Sequence, residues 1–151
     1  ASSVEWMRTH GFKVFPDATA LVEGVRAKGI RLLPMTNNGA LGILLKLHLA
    51  GFADLRGESA FEVFYGDDAL GDSKSNPDVY RRLLAREGLS SDEVLMVGDN
   101  PVLDGENALR GGIANVAIVD RGQAKACYSM GGLLRVNALT ELLPLIEKAT
   151  D

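Results

Sequence analysis

The sequence has few of the residues that build disulfides, zinc sites and membrane spans. Its 151 residues include one cysteine, Cys127, and two histidines, so neither an internal disulfide nor a Cys/His zinc cluster is expected. The longest apolar stretch, residues 41–49, contains Lys46 and His48, which leaves no run of about 20 apolar residues for a membrane span. The N-terminus has no basic stretch followed by an apolar core, so no signal peptide is predicted. A cytoplasmic protein without a membrane partner is therefore expected.

The sequence also has fewer basic than acidic residues. The chain has 16 Lys and Arg against 20 Asp and Glu, for a net charge of −4. Binding to nucleic acid relies on a basic surface, so a nucleic-acid partner is not expected. The composition is 46% hydrophobic and 24% charged, which is typical of a globular chain. Its length predicts one domain, or most of one.

Short apolar runs alternate with segments of helical period, and this alternation predicts an α/β protein. The expected helices are residues 18–28, 40–50, 77–87, 104–110 and 139–148. The expected strands are residues 30–36, 61–65, 93–97 and 115–119. This order predicts a Rossmann-like, three-layer α/β/α sandwich with a mainly parallel sheet.

Polar side chains follow the apolar runs at the points where ligands bind in parallel sheets. Thr36 ends one run, Asp99 ends another and is followed by Asp104, and Lys74 lies in the polar loop between them. A hydroxyl, a cation and two carboxylates together suit an anion bridged to a metal, and phosphate with Mg²⁺ is the simplest such ligand. The remaining acids of the loop are interpreted as solvated charges: Asp67, Asp68 and Asp72.

Three stretches resemble motifs of the haloacid dehalogenase (HAD) superfamily. Residues 32–38 are similar to its second motif, a hydrophobic strand that ends in Thr or Ser. Residues 73–80 resemble the third motif, in which a lysine, here Lys74, precedes a helix start; Ser75 stands where the family usually has proline. Residues 94–104 resemble the fourth motif, Gly-Asp followed by a second acid. One such motif is weak, but three in the family's order make the resemblance specific.

The resemblance implies a HAD-like core and, in most members, Mg²⁺-dependent hydrolysis of phosphate esters through an aspartyl-phosphate. It points to a capped phosphatase similar to phosphoglycolate phosphatases, acting on a small phosphorylated metabolite. By position, Thr36 and Asn37 would bind the phosphate, and Thr36 and Lys74 would act as catalytic residues. Asp99 would hold Mg²⁺, and Asp104 would assist it directly or through another group.

The family's first motif, a strand followed by Asp-x-Asp, is not found. Residues 12–19 begin like this strand, but Pro16 occupies the position of the nucleophile. The stretch better resembles the connection from a cap domain back into the core. We therefore expect residues 1–17 to end a cap or connecting segment and residues 18–151 to form the core. The nucleophile and first strand would lie in a complementary chain or upstream segment, and this chain alone would be an inactive fragment of a phosphoric monoester hydrolase.

Two alternatives remain open from the sequence. The chain could be a non-catalytic HAD-like module that binds a ligand or partner, or it could belong to a haloacid dehalogenase, which needs no Mg²⁺. The paired acids Asp99 and Asp104 fit the metal-dependent phosphatases better.

Overall fold

The structure, a computed structural model, describes residues 5, 9, 13–53, 59–122, 128–130 and 133–150, without the side chains of 128–130 and 148–150. Cys127 and most of residues 1–12 lie outside this set, as do the expectations attached to them. Contacts divide the chain into two compact units, Ala1–Ala69 and Leu70–Asp151. The domain boundary expected after residue 17 stays a prediction. No helix in the described part of the chain is long and apolar enough to cross a membrane.

The first unit contains the helices α1, Pro16–Ala27, and α2, Ala40–Leu49, and a short helix α3 begins near its end, at Asp67–Leu70. Proline suits the first position of α1 because an N–H there would have no partner within the helix. Gly29 follows α1 with φ of +70°, a left-handed conformation that favours glycine. The buried face of α1 consists of Leu21, Val22 and Val25. The predicted helices 18–28 and 40–50 are confirmed, with ends shifted by one or two residues.

The predicted strands 30–36 and 61–65 are wrong as regular strands. They meet at one parallel bridge between Met35 and Tyr65, next to a bond of 2.7 Å from the Tyr65 N–H to the Pro34 carbonyl. Pro34 has no N–H to continue a ladder, and pairing depends on neighbours that an apolar run does not specify. Tyr65 is nevertheless buried, so the two runs contribute to the interior of this unit.

The second unit is built on a sheet whose strands lie in the order β1-β2-β4-β3. These are β1, Leu95–Gly98; β2, Asn115–Val119; β3, Tyr128–Met130; and β4, Leu133–Val136. The pairs β1–β2 and β2–β4 are parallel, whereas β3 and β4 are antiparallel. The prediction for β2 is confirmed residue by residue, and β1 begins two residues later than predicted. The sequence analysis does not predict β3 or β4: β3 has only 3 residues, and the 4 residues of β4 include the charged Arg135, so neither forms an uninterrupted apolar run.

The helical segments of the second unit are α4, Asp78–Glu87; a π-helical turn, Pro101–Glu106; α5, Asn107–Arg110; a 3-10 turn, Leu139–Leu142; and α6, Leu143–Thr150. One helix was predicted from Asp104 to Arg110, but helical structure starts at Pro101. The cause is the Asn100 side chain, whose oxygen accepts bonds from the N–H groups of Val102 and Leu103 at 3.0 and 2.9 Å. This is the bonding of a helix N-cap.

The core of the second unit lies around β2. Four consecutive residues of this strand are buried, as expected for a strand covered on both faces. From α4, Val79 and Tyr80 are fully buried, and so is Leu142 from the 3-10 turn. This packing holds the carboxyl end of β1, where the motif acids lie.

Replacing Leu142 with alanine should lower the free energy of unfolding by about 3 kcal/mol, because the side chain is completely buried and leaves a cavity. Leu145→Ala is the matched control in the same unit. Its side chain is 40% exposed, so the loss should stay below about 1 kcal/mol. Urea denaturation followed by circular dichroism measures both, and equal losses would contradict the assigned core.

Candidate functional site

The side chains of Lys74 and Asp104 form a buried ion pair in the second unit. Lys74 Nζ lies 2.5 Å from Asp104 Oδ1, and the two side chains are 14% and 3% exposed. Charges removed from water are costly unless they are paired and their remaining lone pairs are satisfied. The two residues are 30 positions apart, so this pair ties the lysine loop to the segment that follows β1.

The second oxygen of the Asp104 carboxylate is satisfied by backbone N–H groups. Oδ2 accepts from the N–H of Asp99 at 3.2 Å and from that of Asn100 at 3.0 Å. Gly98 makes this approach possible, because a Cβ at that position would overlap the Asp104 carboxyl group. Both oxygens of Asp104 are therefore engaged, one by a cation and one by the end of β1.

A buried tyrosine supports the turn that carries Asp104. The Tyr80 hydroxyl donates to the Leu103 carbonyl at 2.6 Å, and Tyr80 is fully buried. Burial, and secondarily the negative charge of Asp104, raises the pKa of Tyr80. The hydroxyl thus remains a proton donor throughout the neutral range and keeps its bond to the turn.

Asp99 lies next to this network, with its side chain exposed. Among the residues that the structure describes, no three His, Cys, Asp or Glu side chains gather closely enough to hold a metal. Mg²⁺ takes one or two protein carboxylates and completes its shell with water and substrate phosphate. The exposed carboxylate of Asp99 is an open oxygen donor of the kind that fits Mg²⁺, whereas both oxygens of Asp104 are engaged, and the two acids together do not fit a zinc cage.

The loop before α4 is shaped by Asp72. Its carboxylate accepts from the Asn76 amide at 2.7 Å and from the Ser73 N–H at 2.8 Å. Both bonds lower the pKa of Asp72, and the bond from Asn76 has the larger effect. A further bond from the Asn76 N–H to the Ser73 carbonyl at 3.0 Å closes a turn around Lys74. Asp72 was interpreted as a solvated charge, but it organises the lysine loop.

Thr36 and Asn37 belong to the first unit. Thr36 Oγ1 accepts from the Asn38 N–H at 3.3 Å and from the Asn38 side-chain amide at 2.9 Å. Neither bond uses the hydroxyl proton of Thr36. Thr36 is half-buried and Asn37 is exposed. The expected convergence of Thr36 with Lys74, Asp99 and Asp104 stays a prediction.

The start of α2 is capped by a residue distant in sequence. Both carboxylate oxygens of Asp68 lie 3.1 Å from the Ala40 nitrogen, whereas Gly39 at the N-cap has no side chain to do so. A negative charge at a helix N-terminus is favourable. Asp68 is exposed, as expected of a solvated charge, yet it also has this specific partner in its own unit.

The residues missed by sequence reasoning are those that hold the site, chiefly Tyr80, Asn100 and Asn107. The side-chain amide of Asn107 donates to the carbonyls of Lys74 and Ser75. The sequence gives only one indication that Asn107 belongs to the site: it lies three residues after Asp104, and this spacing puts the two side chains on one face of a helical segment.

Comparisons with known proteins identify the family to which this chain is similar. A family model described as haloacid dehalogenase-like hydrolase matches residues 4–112. A phosphoglycolate phosphatase from Rhodospirillum rubrum is 33% identical over 126 residues, covering 83% of this chain and 49% of that protein. A phosphoserine phosphatase from Thermus thermophilus is 30% identical over 131 residues, covering 87% of this chain and 50% of that protein. The chain thus spans about half the length of these curated relatives.

The fold is shared with a solved structure. The crystal structure of a HAD phosphatase from Thermococcus onnurineus superposes with a TM-score of 0.76 at 25% identity, covering 97% of this chain and 65% of that one. The predicted Rossmann-like α/β fold class is confirmed.

The Lys74–Asp104 pair should show strong thermodynamic coupling. In a double-mutant cycle of Lys74→Met and Asp104→Asn, the coupling energy should be about 2–4 kcal/mol, because either single change leaves a buried group without its partner. The matched control is the ion pair of Arg81 and Asp78, whose side chains are 60% and 53% exposed. Its coupling should be about 0.5 kcal/mol or less. Unfolding in urea measures both cycles, and similar couplings would contradict the buried pair.

Proposed function

The chain belongs to the haloacid dehalogenase-like hydrolases, and from that premise we propose that it is the core part of a Mg²⁺-dependent phosphatase acting on a small phosphorylated metabolite. The observation that carries the proposal is the buried Lys74–Asp104 ion pair beside the exposed carboxylate of Asp99. A fixed cation next to an open carboxylate is suited to an anionic substrate that shares a metal with the protein.

Each site residue has a chemical task in this proposal. The Thr36 hydroxyl and Asn37 bind the transferring phosphoryl group, and the Lys74 ammonium offsets its charge. Asp99 provides the open carboxylate for Mg²⁺, and Asp104 fixes Lys74 and the backbone of Asp99. When bound, Mg²⁺ supplies positive charge to the phosphoryl oxygens.

The nucleophile is proposed to come from a complementary segment carrying Asp-x-Asp. Its first carboxylate attacks phosphorus, the bond to the leaving alcohol breaks, and the second acid gives that alcohol its proton. Water then gives its proton to the second carboxylate and attacks phosphorus, and the bond from phosphorus to the first carboxylate breaks, which releases inorganic phosphate and restores both acids. Within the sheet of the second unit, β1 pairs with β2 on one side, and no described strand pairs with its other side. An additional strand there would lie next to Asp99.

The relatives support a proposal for the substrate class. The two curated proteins are a phosphoglycolate phosphatase and a phosphoserine phosphatase. Phosphoglycolate and phosphoserine are both phosphate monoesters of small carboxylic acids. We propose a substrate of the same kind for the complete site.

The test joins this chain to the part of the Rhodospirillum rubrum phosphoglycolate phosphatase that it does not cover. The joined protein should hydrolyse p-nitrophenyl phosphate with Mg²⁺ and lose activity in EDTA, while the 151-residue chain alone should be inactive. Asp99→Asn should reduce kcat by at least about 100-fold, since loss of groups that merely support a metal already costs about 10- to 100-fold.

Asp92→Asn is the matched control. Asp92 is also exposed, but it lies before β1 rather than after it, so this change should leave kcat within about two-fold. Full activity of Asp99→Asn would contradict the metal role. A folded joined protein that binds orthophosphate without turnover would instead favour the non-catalytic module.

A further inference from the structure

Asn107 is buried beside the Lys74 loop, although neither the motifs nor the proposed chemistry uses it. The polar side chains buried in the described part of the second unit are Asp104, 2% exposed, and Asn107, 6% exposed. Both contact Lys74, one at its ammonium and the other at its backbone. A buried amide is retained where its hydrogen bonds are satisfied, and those of Asn107 are directed at this loop.

The amide of Asn107 bridges two consecutive carbonyl groups. Its Nδ2 donates to the Lys74 carbonyl at 3.0 Å and to the Ser75 carbonyl at 3.3 Å. Side chains three residues apart on a helical segment lie on the same face. The segment that follows β1 therefore presents a carboxylate to the tip of Lys74 and an amide to its base.

The backbone of Asn107 is itself held firmly. The Gly111 N–H donates to the Asn107 carbonyl at 2.8 Å. Gly111 packs so closely on the start of α4 that a Cβ there would overlap the Pro77 carbonyl and the Tyr80 side chain. On the other side of Asn107, Tyr80 bonds the Leu103 carbonyl at 2.6 Å. Asn107 thus projects from a segment fixed at both ends.

We propose that Asn107 is a positioning residue for Lys74. A lysine has four rotatable side-chain bonds, so holding only its ammonium leaves the position of its backbone free to vary. Asn107 fixes the backbone at Lys74 and Ser75, Asp104 fixes the ammonium, and together they give the cation one location. A role of Asn107 in catalysis rests on the proposed function, whereas its effect on the position of Lys74 does not.

The test measures the accessibility of the Lys74 amine in the 151-residue chain. Trace acetylation with acetic anhydride at constant pH, read by peptide mass spectrometry, gives the rate at Lys74 relative to the exposed Lys28 and Lys46. Asn107→Asp keeps the side-chain size but turns carboxylate oxygens toward two carbonyl oxygens. The relative rate at Lys74 should rise about 5- to 10-fold, as expected from losing a buried hydrogen bond. Asp104→Asn gives the rate for a lysine without its ion partner.

Asn115→Asp is the matched control. The Asn115 side-chain amide also donates to two backbone carbonyls, those of Asp92 and Val94, at 3.1 and 3.5 Å. It lies at the amino end of β2, opposite Leu95 in the register with β1. This change should leave the rate at Lys74 unaltered. An equal rise in both variants would overturn the proposal, because it would reflect general loosening of the unit.

An unchanged rate in folded Asn107→Asp would also overturn the proposal. Thermal melting checks folding, and Asn107→Ser, which shortens the side chain without adding charge, replaces Asn107→Asp if that variant does not fold. In the joined protein, Asn107→Asp should lower kcat about 10- to 100-fold with a smaller change in KM. A rise in Lys74 labelling in a joined protein that has no phosphatase activity would support the positioning role while the proposed function fails.

Discussion

The arrangement of the candidate site depends on one buried carboxylate, that of Asp104. An anion that is 2% exposed is stable only when its charge and lone pairs are satisfied. Asp104 achieves this with the Lys74 ammonium on one oxygen and two backbone N–H groups on the other. Its requirements explain neighbouring features, including the glycine at position 98, where any side chain would overlap the carboxyl group.

The same carboxylate links elements that the chain separates. The lysine loop precedes α4, while Asp104 follows β1, so the ion pair closes a path that contains both elements. Tyr80 from α4 adds a second link by bonding the carbonyl of Leu103. Displacement of the lysine loop would therefore disturb the end of β1, and the position of Asp99 is coupled to that of Lys74.

Sequence reasoning identified the residues with chemical groups better than those that position them. Lys74, Asp99 and Asp104 followed from motif order, and β2 followed from the apolar run 116–119, whose four residues are all buried. The bond from the Asn107 amide to the Lys74 carbonyl and the bond from the Ala40 N–H to the Asp68 carboxylate span 33 and 28 residues. The local periodicity of a sequence contains no information on contacts between residues that are so far apart in the chain. The apolar runs at 30–36 and 61–65 were read as strands, but hydrophobicity indicates burial and does not specify a pairing partner.

The two acids of the fourth motif lie in different environments. Asp99 and Asp104 are five residues apart, and Asp104 is buried within the π-helical turn that follows Asp99, whereas Asp99 itself is exposed. An exposed carboxylate exchanges water for a cation at little structural cost, whereas the oxygens of Asp104 are already committed to Lys74 and to the backbone. Replacing Asp99 should therefore have little effect on folding, whereas replacing Asp104 should destabilise the second unit. The burial of each acid thus determines whether its carboxylate is open to solvent, as in Asp99, or is used to hold the lysine loop and the end of β1, as in Asp104.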